Sequence, residues 1–253
     1  DQDAINVELF LRESMHKKFA VNTETTVKCP YIILPNLMSE FYSRLGHDPR
    51  YKIRRNKRNL TELFQYQVKH INNTRELSKA IELMFELNER RWKKRRGKGS
   101  FYNETIRNFN KEVSKKFLGK NWLIFDYLEI DNQMIAYCYN FVYKDKIYGY
   151  STSHNINPKY IKYGPGIILQ ITCIENAINN RTKEYDMLRG EAPYKYTFTK
   201  NDRQLMNLII VKTSLKNTLY TLSKDLYKLF VQISRKIVPQ QIRDVVGDKL
   251  FRK

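Results

Sequence analysis

Apolar residues in the first half of the chain recur every three or four positions, a spacing that places them on one face of an α-helix. The segments with this spacing are 37–45, 51–64, 74–92 and 106–117. Shorter apolar or alternating segments at 31–34 and 65–71 predict strands. Asn36 and Thr74 occupy positions where helix N-caps are expected.

The middle of the chain changes to the alternating spacing of strands. Segments 122–130, 133–143 and 146–153 predict three strands, and short turns between them predict an antiparallel meander. Both faces of the second strand are apolar, so helices are expected on both sides of the sheet. A helix after Gly166, a strand at 184–188, a short helix at 194–199 and a strand at 204–212 complete the prediction. This order predicts an α/β fold with a mixed sheet.

Composition adds a strong positive charge. The chain has 253 residues, with 46 Lys and Arg against 26 Asp and Glu, and a formal net charge of +20. Such a charge favours phosphate, in nucleic acid, in a nucleotide cofactor or on an anionic membrane surface. The densest basic segments are 54–58 and 90–98. The scattered cysteines and histidines predict no metal site and indicate a reducing compartment.

The turn before the helix at 167–178 is a candidate phosphate site. Proline at a first helical position fixes the start of a helix, and glycines on either side leave room for a ligand. The candidate donors are the backbone amides of Tyr163, Gly164, Gly166 and Ile167. The same residues could equally serve only to start the helix.

A second candidate follows the strand at 184–188. Ionisable side chains lie where a strand ends, the edge at which open α/β sheets bind ligands. They are Asp186, Glu191, Tyr194 and Lys195. An ordinary surface loop with paired charges is the alternative interpretation.

These segments, in this order, resemble a known family. The chain resembles the GNAT-like acetyltransferase family associated with bacterial cellulose and exopolysaccharide biosynthesis, which is related to the Fem-type aminoacyl transferases. The residues that carry the resemblance are Arg54, Arg55, Arg58, 89–92, 97–99, 135–137, 164–166, 185–191, Tyr194 and Lys195.

The resemblance implies a GNAT-like fold, with a mixed, mostly antiparallel sheet flanked by helices. The expected domain spans residues 29–212 and is followed by a helical C-terminal extension at 213–253. Residues 1–28 are then a leader or the remnant of an upstream half, and a missing upstream half-domain is expected to pack on the domain.

The resemblance also implies acetyl-CoA as the acyl donor, with no metal. The pyrophosphate would lie on the turn from Gly164 to Ile167, and the backbone of Ser151, Thr152 and Ser153 would hold the pantetheine arm.

Direct attack on the thioester requires a base for the nucleophile and an acid for the thiolate. Asp186 and Glu191 are the candidate bases, and His154 is the alternative. Tyr194 is the candidate acid, and Lys195 is expected to orient the acceptor. Each of these residues could instead be structural or solvent-exposed.

The basic segments supply candidate substrate contacts. Arg54, Arg55 and Arg58 lie on one side of a helix, which suits an anionic substrate or the 3′-phosphate of CoA. A solvated helix face explains them equally well. Trp92, among arginines, could stack on a nucleic-acid base.

The C-terminal extension has one apolar stripe. Its members are Leu215, Leu219, Leu222, Leu226, Leu229, Ile233 and Ile237. Such a stripe packs on the domain, forms a helical dimer or binds an anionic membrane surface.

The predicted function is therefore acyl transfer from a CoA thioester to an amino or hydroxyl group of a small-molecule or glycan acceptor. A sugar or cell-envelope precursor is the expected acceptor, and the expected location is the cytoplasm, including the inner face of the membrane. The alternatives are a Fem-like transferase that uses aminoacyl-tRNA and a non-catalytic nucleic-acid-binding protein. For the enzyme, only weak, non-specific nucleic-acid binding is expected.

Overall fold

The computed structural model describes residues 19–94 and 99–214, together with positions 7, 9, 11–13, 217, 219, 222, 223, 226, 227, 229 and 230. Several predictions therefore lie outside the described residues. They concern most of residues 1–18 in the expected leader, the end of the second basic segment at 95–98, and Leu215, Ile233 and Ile237 of the C-terminal stripe.

In chain order the elements are β1 (Phe19–Ile33), α1 (Met38–Arg44), α2 (His47–Leu63), β2 (Tyr66–His70), α3 (Thr74–Lys94), α4 (Glu104–Leu118), β3 (Leu123–Ile130), β4 (Gln133–Tyr143), β5 (Lys146–His154), α5 (Pro158–Ile161), α6 (Pro165–Asn179), β6 (Glu184–Asp186), a 3₁₀ turn (Lys195–Thr197) and β7 (Asp202–Lys212). The chain divides into two compact units. One unit is Val27–Leu205, and the other combines Asp1–Thr26 with Met206–Lys253.

The strands of the described residues form one sheet in the order β2-β3-β4-β5-β6-β1-β7. Strands β2 to β5 are consecutive antiparallel neighbours, which confirms the predicted meander. Asp131 and Asn132 connect β3 to β4 with φ angles of 53° and 58°, a left-handed conformation that these two residue types tolerate in tight hairpins. Strands β5 and β6 are parallel and are joined through α6. The sheet is thus mixed and mostly antiparallel, as predicted.

Both faces of the sheet are covered by helices. On one face, Leu128, Ala136 and Cys138 pack in a core with residues of α6 such as Leu169. On the other face, Tyr137 and its neighbours on β3 and β4 pack with buried residues of α3. Successive residues of β4 point to opposite faces, so its nearly continuous burial follows from the two cores.

Some element boundaries differ from the prediction. β1 begins at Phe19, whereas the sequence predicts a strand only from residue 31. The first half of β1 was not predicted because it carries exposed polar side chains such as Thr23 and Glu24, whose pattern is not typical of a strand. The N-cap of α1 is Leu37 rather than Asn36. At the start of α3, Asn73 is the capping residue, since its side-chain Oδ1 accepts a hydrogen bond from the Glu76 amide at 2.9 Å.

The second unit contains the outer parts of β1 and β7 and the helical positions after residue 214. The Oγ atom of Ser214 accepts a hydrogen bond from the Asn217 amide at 3.2 Å. The leucines described there expose more than half of their surface; they are Leu219, Leu222, Leu226 and Leu229. Among the helices of the described residues, none combines the length and the apolar character that crossing a membrane requires.

Candidate active site

Strands β5 and β6 separate partway along β5. Their pairing ends at Tyr148 and Asp186. Beyond this point β5 continues to His154, whereas the chain after β6 turns toward β1 and the Gly190 amide bonds to the Lys28 carbonyl oxygen at 2.9 Å. Gly149 lies where the strands part, and a Cβ there would be 3.3 Å from the Tyr185 ring. The divergence opens a gap in the sheet beside the second half of β5.

A cavity of about 150 Å³ lies at this gap. Its lining residues are Arg91, Thr152, His154, Gly164, Gly166, Ile167 and Tyr194. Thr152 and His154 are two positions apart on β5, so both side chains point to the same face of the sheet. The start of α6, the loop after β6 and the end of α3 supply the other walls.

Two larger cavities share residues with this one. The first, of about 390 Å³, also contacts Arg91 and His154 and adds Arg90. The second, of about 550 Å³, also contacts Tyr194 and the start of α6 and adds Lys52, Asn56 and Lys162. Because each larger cavity shares walls with the small one, we treat the three cavities as one central groove. The His154 imidazole and the Tyr194 phenol lie in the small cavity, which is its middle part.

Tyr194 keeps its phenolic proton at neutral pH. Burial raises the pKa of its phenol above the ordinary value, while the positive charge of Arg91 and a hydrogen bond with Thr152 act in the opposite direction. The net effect is a raised pKa, so the hydroxyl group keeps its proton well above neutral pH. The central groove therefore combines a protonated phenol, an imidazole and a guanidinium group.

The start of α6 depends on its first glycine. Gly164 has a φ of +60°, the left-handed region that glycine tolerates. A Cβ there would also lie 2.8 Å from the Nδ2 atom of Asn56, which packs against the turn. Pro165 then begins the helix.

Three of the four predicted amide donors already have partners. The amides of Tyr163, Gly164 and Ile167 donate to backbone carbonyl oxygens within the turn at 3.1, 3.0 and 2.9 Å. The fourth, Gly166, lines the small cavity. Three of the four amides that were predicted to bind a phosphate group are therefore already used within the protein.

A family model decides what kind of domain this is. The model described as an acetyltransferase (GNAT) domain matches residues 47–196, more than half of the chain. This chain belongs to the GNAT acetyltransferase family. The match runs from α2 to the 3₁₀ turn and includes His154, the start of α6 and Tyr194. No curated protein sequence matches the chain.

Solved structures share the fold of this GNAT domain at low sequence identity. FemX aligns with a TM-score of 0.57 and 9% identity over 84% of this chain and 70% of its own. A conserved protein of unknown function from Bacteroides thetaiotaomicron VPI-5482 aligns with a TM-score of 0.55 and 10% identity, over 81% and 67% of the two chains. The C-terminal domain (DUF2156) of a putative lysylphosphatidylglycerol synthetase from Agrobacterium fabrum aligns at 0.53 and 9%, over 86% and 69%.

Two of the predicted catalytic residues of the GNAT domain lie together in the groove, namely His154 and Tyr194. Asp186 lies elsewhere, in an ion-pair network. One of its carboxylate oxygens accepts the Leu188 amide at 2.8 Å, and the other faces Lys146 at 3.1 Å and Arg203 at 3.4 Å. Both oxygens of this predicted base are already occupied.

Lys195 lies beneath the loop that follows β6. Its ammonium group donates to the carbonyl oxygens of Met187, Leu188 and Arg189 at 2.7, 2.8 and 2.9 Å, which uses all three of its protons. Burial lowers the pKa of this amine. Glu191 is exposed on the same loop and lines none of the three cavities.

The predicted substrate-binding residues lie outside the groove. Arg54, Arg55 and Arg58 are exposed on α2, and Arg58 pairs with Glu62 at 3.8 Å. Trp92 lines a separate cavity of about 210 Å³ with residues that include Phe101. Among the residues described, none of these four lines the groove.

The predicted pantetheine contacts on β5 divide between the two faces of the sheet. The side chain of Thr152 faces the groove. Ser151 points to the other face, where its Oγ lies 3.1 Å from the Tyr137 hydroxyl, and Ser153 is buried. The Asn155 amide bonds to the Ile135 carbonyl oxygen on β4, so by the alternation of an antiparallel ladder the backbone groups of Ser151 and Ser153 also face β4. The backbone groups of Thr152 face the gap.

The structure also places residues in the groove that were not predicted individually. Lys52 and Asn56 are the polar residues that α2 turns toward it, and Arg91 reaches it from the end of α3. Helical spacing groups Lys52 with Asn56, but only the packing of α2 on α6 shows which face is the lining one. Within the part of the chain that the structure describes, no group of three or more His, Cys, Asp or Glu could hold a metal ion.

Proposed function

We propose that this GNAT domain transfers an acetyl or other acyl group from a CoA thioester to an amino or hydroxyl group. The observation that carries the proposal is the shared cavity of His154 and Tyr194 where β5 and β6 diverge. An imidazole and a protonated phenol in one cavity suit the two proton transfers that the reaction needs.

In the proposed step, the acceptor nitrogen or oxygen bonds to the thioester carbonyl carbon and the carbon–sulfur bond breaks. The imidazole of His154 takes the proton from the acceptor. The phenol of Tyr194 gives a proton to the leaving thiolate. The raised pKa of Tyr194 supports this role, because the group remains protonated at neutral pH.

The larger cavity at the start of α6 suits the donor. Lys52 and Lys162 line it, and their ammonium groups can pair with phosphate oxygens. The amide of Gly166 and the positive end of the α6 dipole add attraction for an anion at the point where this cavity narrows. We propose that acetyl-CoA enters from this side.

The acceptor then enters by the cavity beside Arg90 and Arg91. Two guanidinium groups favour an acceptor that carries a carboxylate or phosphate. A sugar or cell-envelope precursor that carries a phosphate or carboxylate fits this description, and exopolysaccharide synthesis belongs to the same proposal.

We assign Asp186 and Lys195 to positioning rather than to proton transfer. The ammonium group of Lys195 and one carboxylate oxygen of Asp186 bond to the loop after β6, which leads directly to Tyr194. The other oxygen of Asp186 faces Lys146 and Arg203. This loop has positive φ angles at Leu188 and Gly190, and the bonds of Lys195 hold it in that conformation.

A location in the cytoplasm, including the inner face of the membrane, is part of the proposal. The exposed leucines of the second unit and the net charge of +20 of the chain support binding to an anionic membrane surface.

The test measures acetyl-CoA binding by calorimetry and free thiol release with amine and hydroxyl acceptors. We expect His154→Gln and Tyr194→Phe to bind acetyl-CoA normally but to lose about 10²-fold in turnover. Tyr143→Phe is the matched control, because Tyr143 is half-exposed and lines none of the three cavities. Acetyl-CoA that fails to bind the wild type, together with tight binding of aminoacyl-tRNA or DNA, would refute the proposal.

A further inference from the structure

A cavity of about 610 Å³ lies away from the central groove. It is lined by the last turns of α6, the start of β5 and the facing ends of β3 and β4. None of its lining residues is shared with the three cavities of the groove. The volume lies within the range of pockets that bind small molecules.

The side chain of Asn140 on β4 lines this cavity and lacks partners. The residue is 1% exposed, and neither its Nδ2 nor its Oδ1 atom has a hydrogen-bond partner among the described residues. Buried amides almost always have partners, because their removal from water is costly. Asn140 therefore needs a hydrogen-bonding group that the described residues do not supply.

A buried carboxylate of the cavity is already satisfied. Asp126 is 2% exposed, and one of its oxygens lies 2.7 Å from the Nδ1 atom of His70. The other accepts the Cys173 thiol at 3.4 Å. Each oxygen of this carboxylate therefore already has a partner within the protein, and the group helps to shape the wall of the cavity.

Uncharged amides dominate the rest of the polar lining. Six asparagines contribute, namely Asn72, Asn121, Asn140, Asn176, Asn179 and Asn180. Each amide can both donate and accept, which matches the hydroxyl groups of a polyol. Lys144 is the one cationic lysine or arginine among the described lining residues, unlike in the groove.

The lining also disfavours flat aromatic ligands. The His70 ring is held by Asp126 at 2.7 Å. Tyr185 is the one Phe, Tyr or Trp among the described lining residues, and this side chain is 1% exposed. It offers no ring face on which a nucleobase could stack.

We propose that this cavity, which we call the asparagine pocket, binds an uncharged polyhydroxylated small molecule of the size of a monosaccharide. The site is separate from the transfer groove, so the proposal does not depend on the chemistry at His154 and Tyr194.

The test uses saturation-transfer NMR and thermal unfolding of the full chain with glucose, N-acetylglucosamine and myo-inositol. At least one should bind at millimolar concentration and raise the melting temperature. Asn140→Leu should weaken that binding about tenfold or more. It should also raise the melting temperature of the free protein, because it removes an unpaired buried amide.

Two further variants make the result decisive. Asn176→Leu changes an exposed residue of the cavity and should weaken binding even if Asn140→Leu fails to fold. Asn108→Leu, exposed on α4 and outside the cavity, should bind like the wild type.

Three outcomes would overturn the proposal. The first is the absence of binding by all three probes, which would mean that the cavity holds only water. The second is tighter binding of uridine or glucose 6-phosphate, which would identify a nucleoside or an anion as the ligand. The third is sugar binding that is unchanged in Asn140→Leu and Asn176→Leu.

Discussion

The Nδ1 atom of His154 lies 3.0 Å from the position that a Cβ would occupy on Gly166. His154 is the last residue of β5, and Gly166 is the second residue of α6. The imidazole thus packs directly on the start of the helix. Any side chain at position 166 must displace it, so this glycine sets where the proposed base lies.

Gly166→Ala should therefore lower turnover without destabilising the fold. The imidazole of His154 must move by a few tenths of an ångström. We expect turnover to fall about tenfold, because a misplacement of about 1 Å can lower the rate about 10²-fold. Alanine favours a helix over glycine, so the melting temperature should stay or rise. Steady-state kinetics and thermal unfolding check both expectations.

Gly119→Ala is the matched control. Gly119 has helical backbone angles, and a Cβ there meets nothing closer than 3.8 Å. Equal turnover losses in the two variants would contradict a special role for Gly166.

Lys195→Met tests whether the lysine positions the loop. The variant leaves three carbonyl oxygens without their charged donor, so we expect a loss of about 2 kcal/mol or more in the free energy of unfolding. Urea unfolding measures it, with the exposed Lys200→Met as control. If Lys195 instead binds the acceptor, Lys195→Met should raise the KM for the acceptor and leave the free energy of unfolding unchanged.

The sequence located the strand ends of the site but not the partners of its charges. His154 and Tyr194 could be predicted because each follows or ends a strand, and open α/β sheets bind ligands where strands end. Asp186 and Lys195 also lie near that edge, but their partners are Lys146, Arg203 and backbone carbonyl oxygens. Pairing over such distances along the chain depends on the fold, so the pattern could not separate the residues that have structural partners from those that line the groove.

The fold itself was more predictable than the site. The meander and the helices α3 and α4, which pack on the face of the sheet that carries Tyr137, follow from clear periodicity in the sequence. The first half of β1 escaped detection, because a strand with polar, exposed side chains such as Thr23 is defined by backbone pairing and not by hydrophobic alternation. The rotation of α2, which places Lys52 in the groove and Arg54 outside it, likewise depends on helix packing.

Stability at alkaline pH should depend on Tyr137. Burial raises its pKa to about 12, and hydrogen bonds with Ser151 and Asn88 act against this. The unfolded chain ionises near the ordinary pKa of about 10 and the folded chain does not. The protein therefore loses stability as pH rises from about 10 toward 12, by about 2 to 3 kcal/mol from this residue alone.

Tyr137→Phe checks this expectation. At neutral pH the variant should be less stable by about 1 kcal/mol, because it loses the hydroxyl hydrogen bonds. The difference in stability between the two proteins should shrink as pH rises, and above about pH 11 the variant should be the more stable one, since phenylalanine cannot ionise. Urea unfolding at several pH values measures the crossing, and parallel curves for the two proteins would contradict it.

The pH profile of His154→Gln should distinguish an amine from a hydroxyl acceptor. The glutamine cannot accept the proton of the acceptor, so the variant depends on the fraction of acceptor that is already deprotonated. For an amine this fraction grows as pH rises, and the deficit relative to wild type should shrink from about pH 7 to about pH 9. A hydroxyl acceptor stays protonated there, so its deficit should remain constant. Because the raised pKa of Tyr194 keeps the proposed acid protonated over this range, any change reports the acceptor and its base alone. Activity of His154→Gln within about twofold of wild type at every pH would move the base elsewhere.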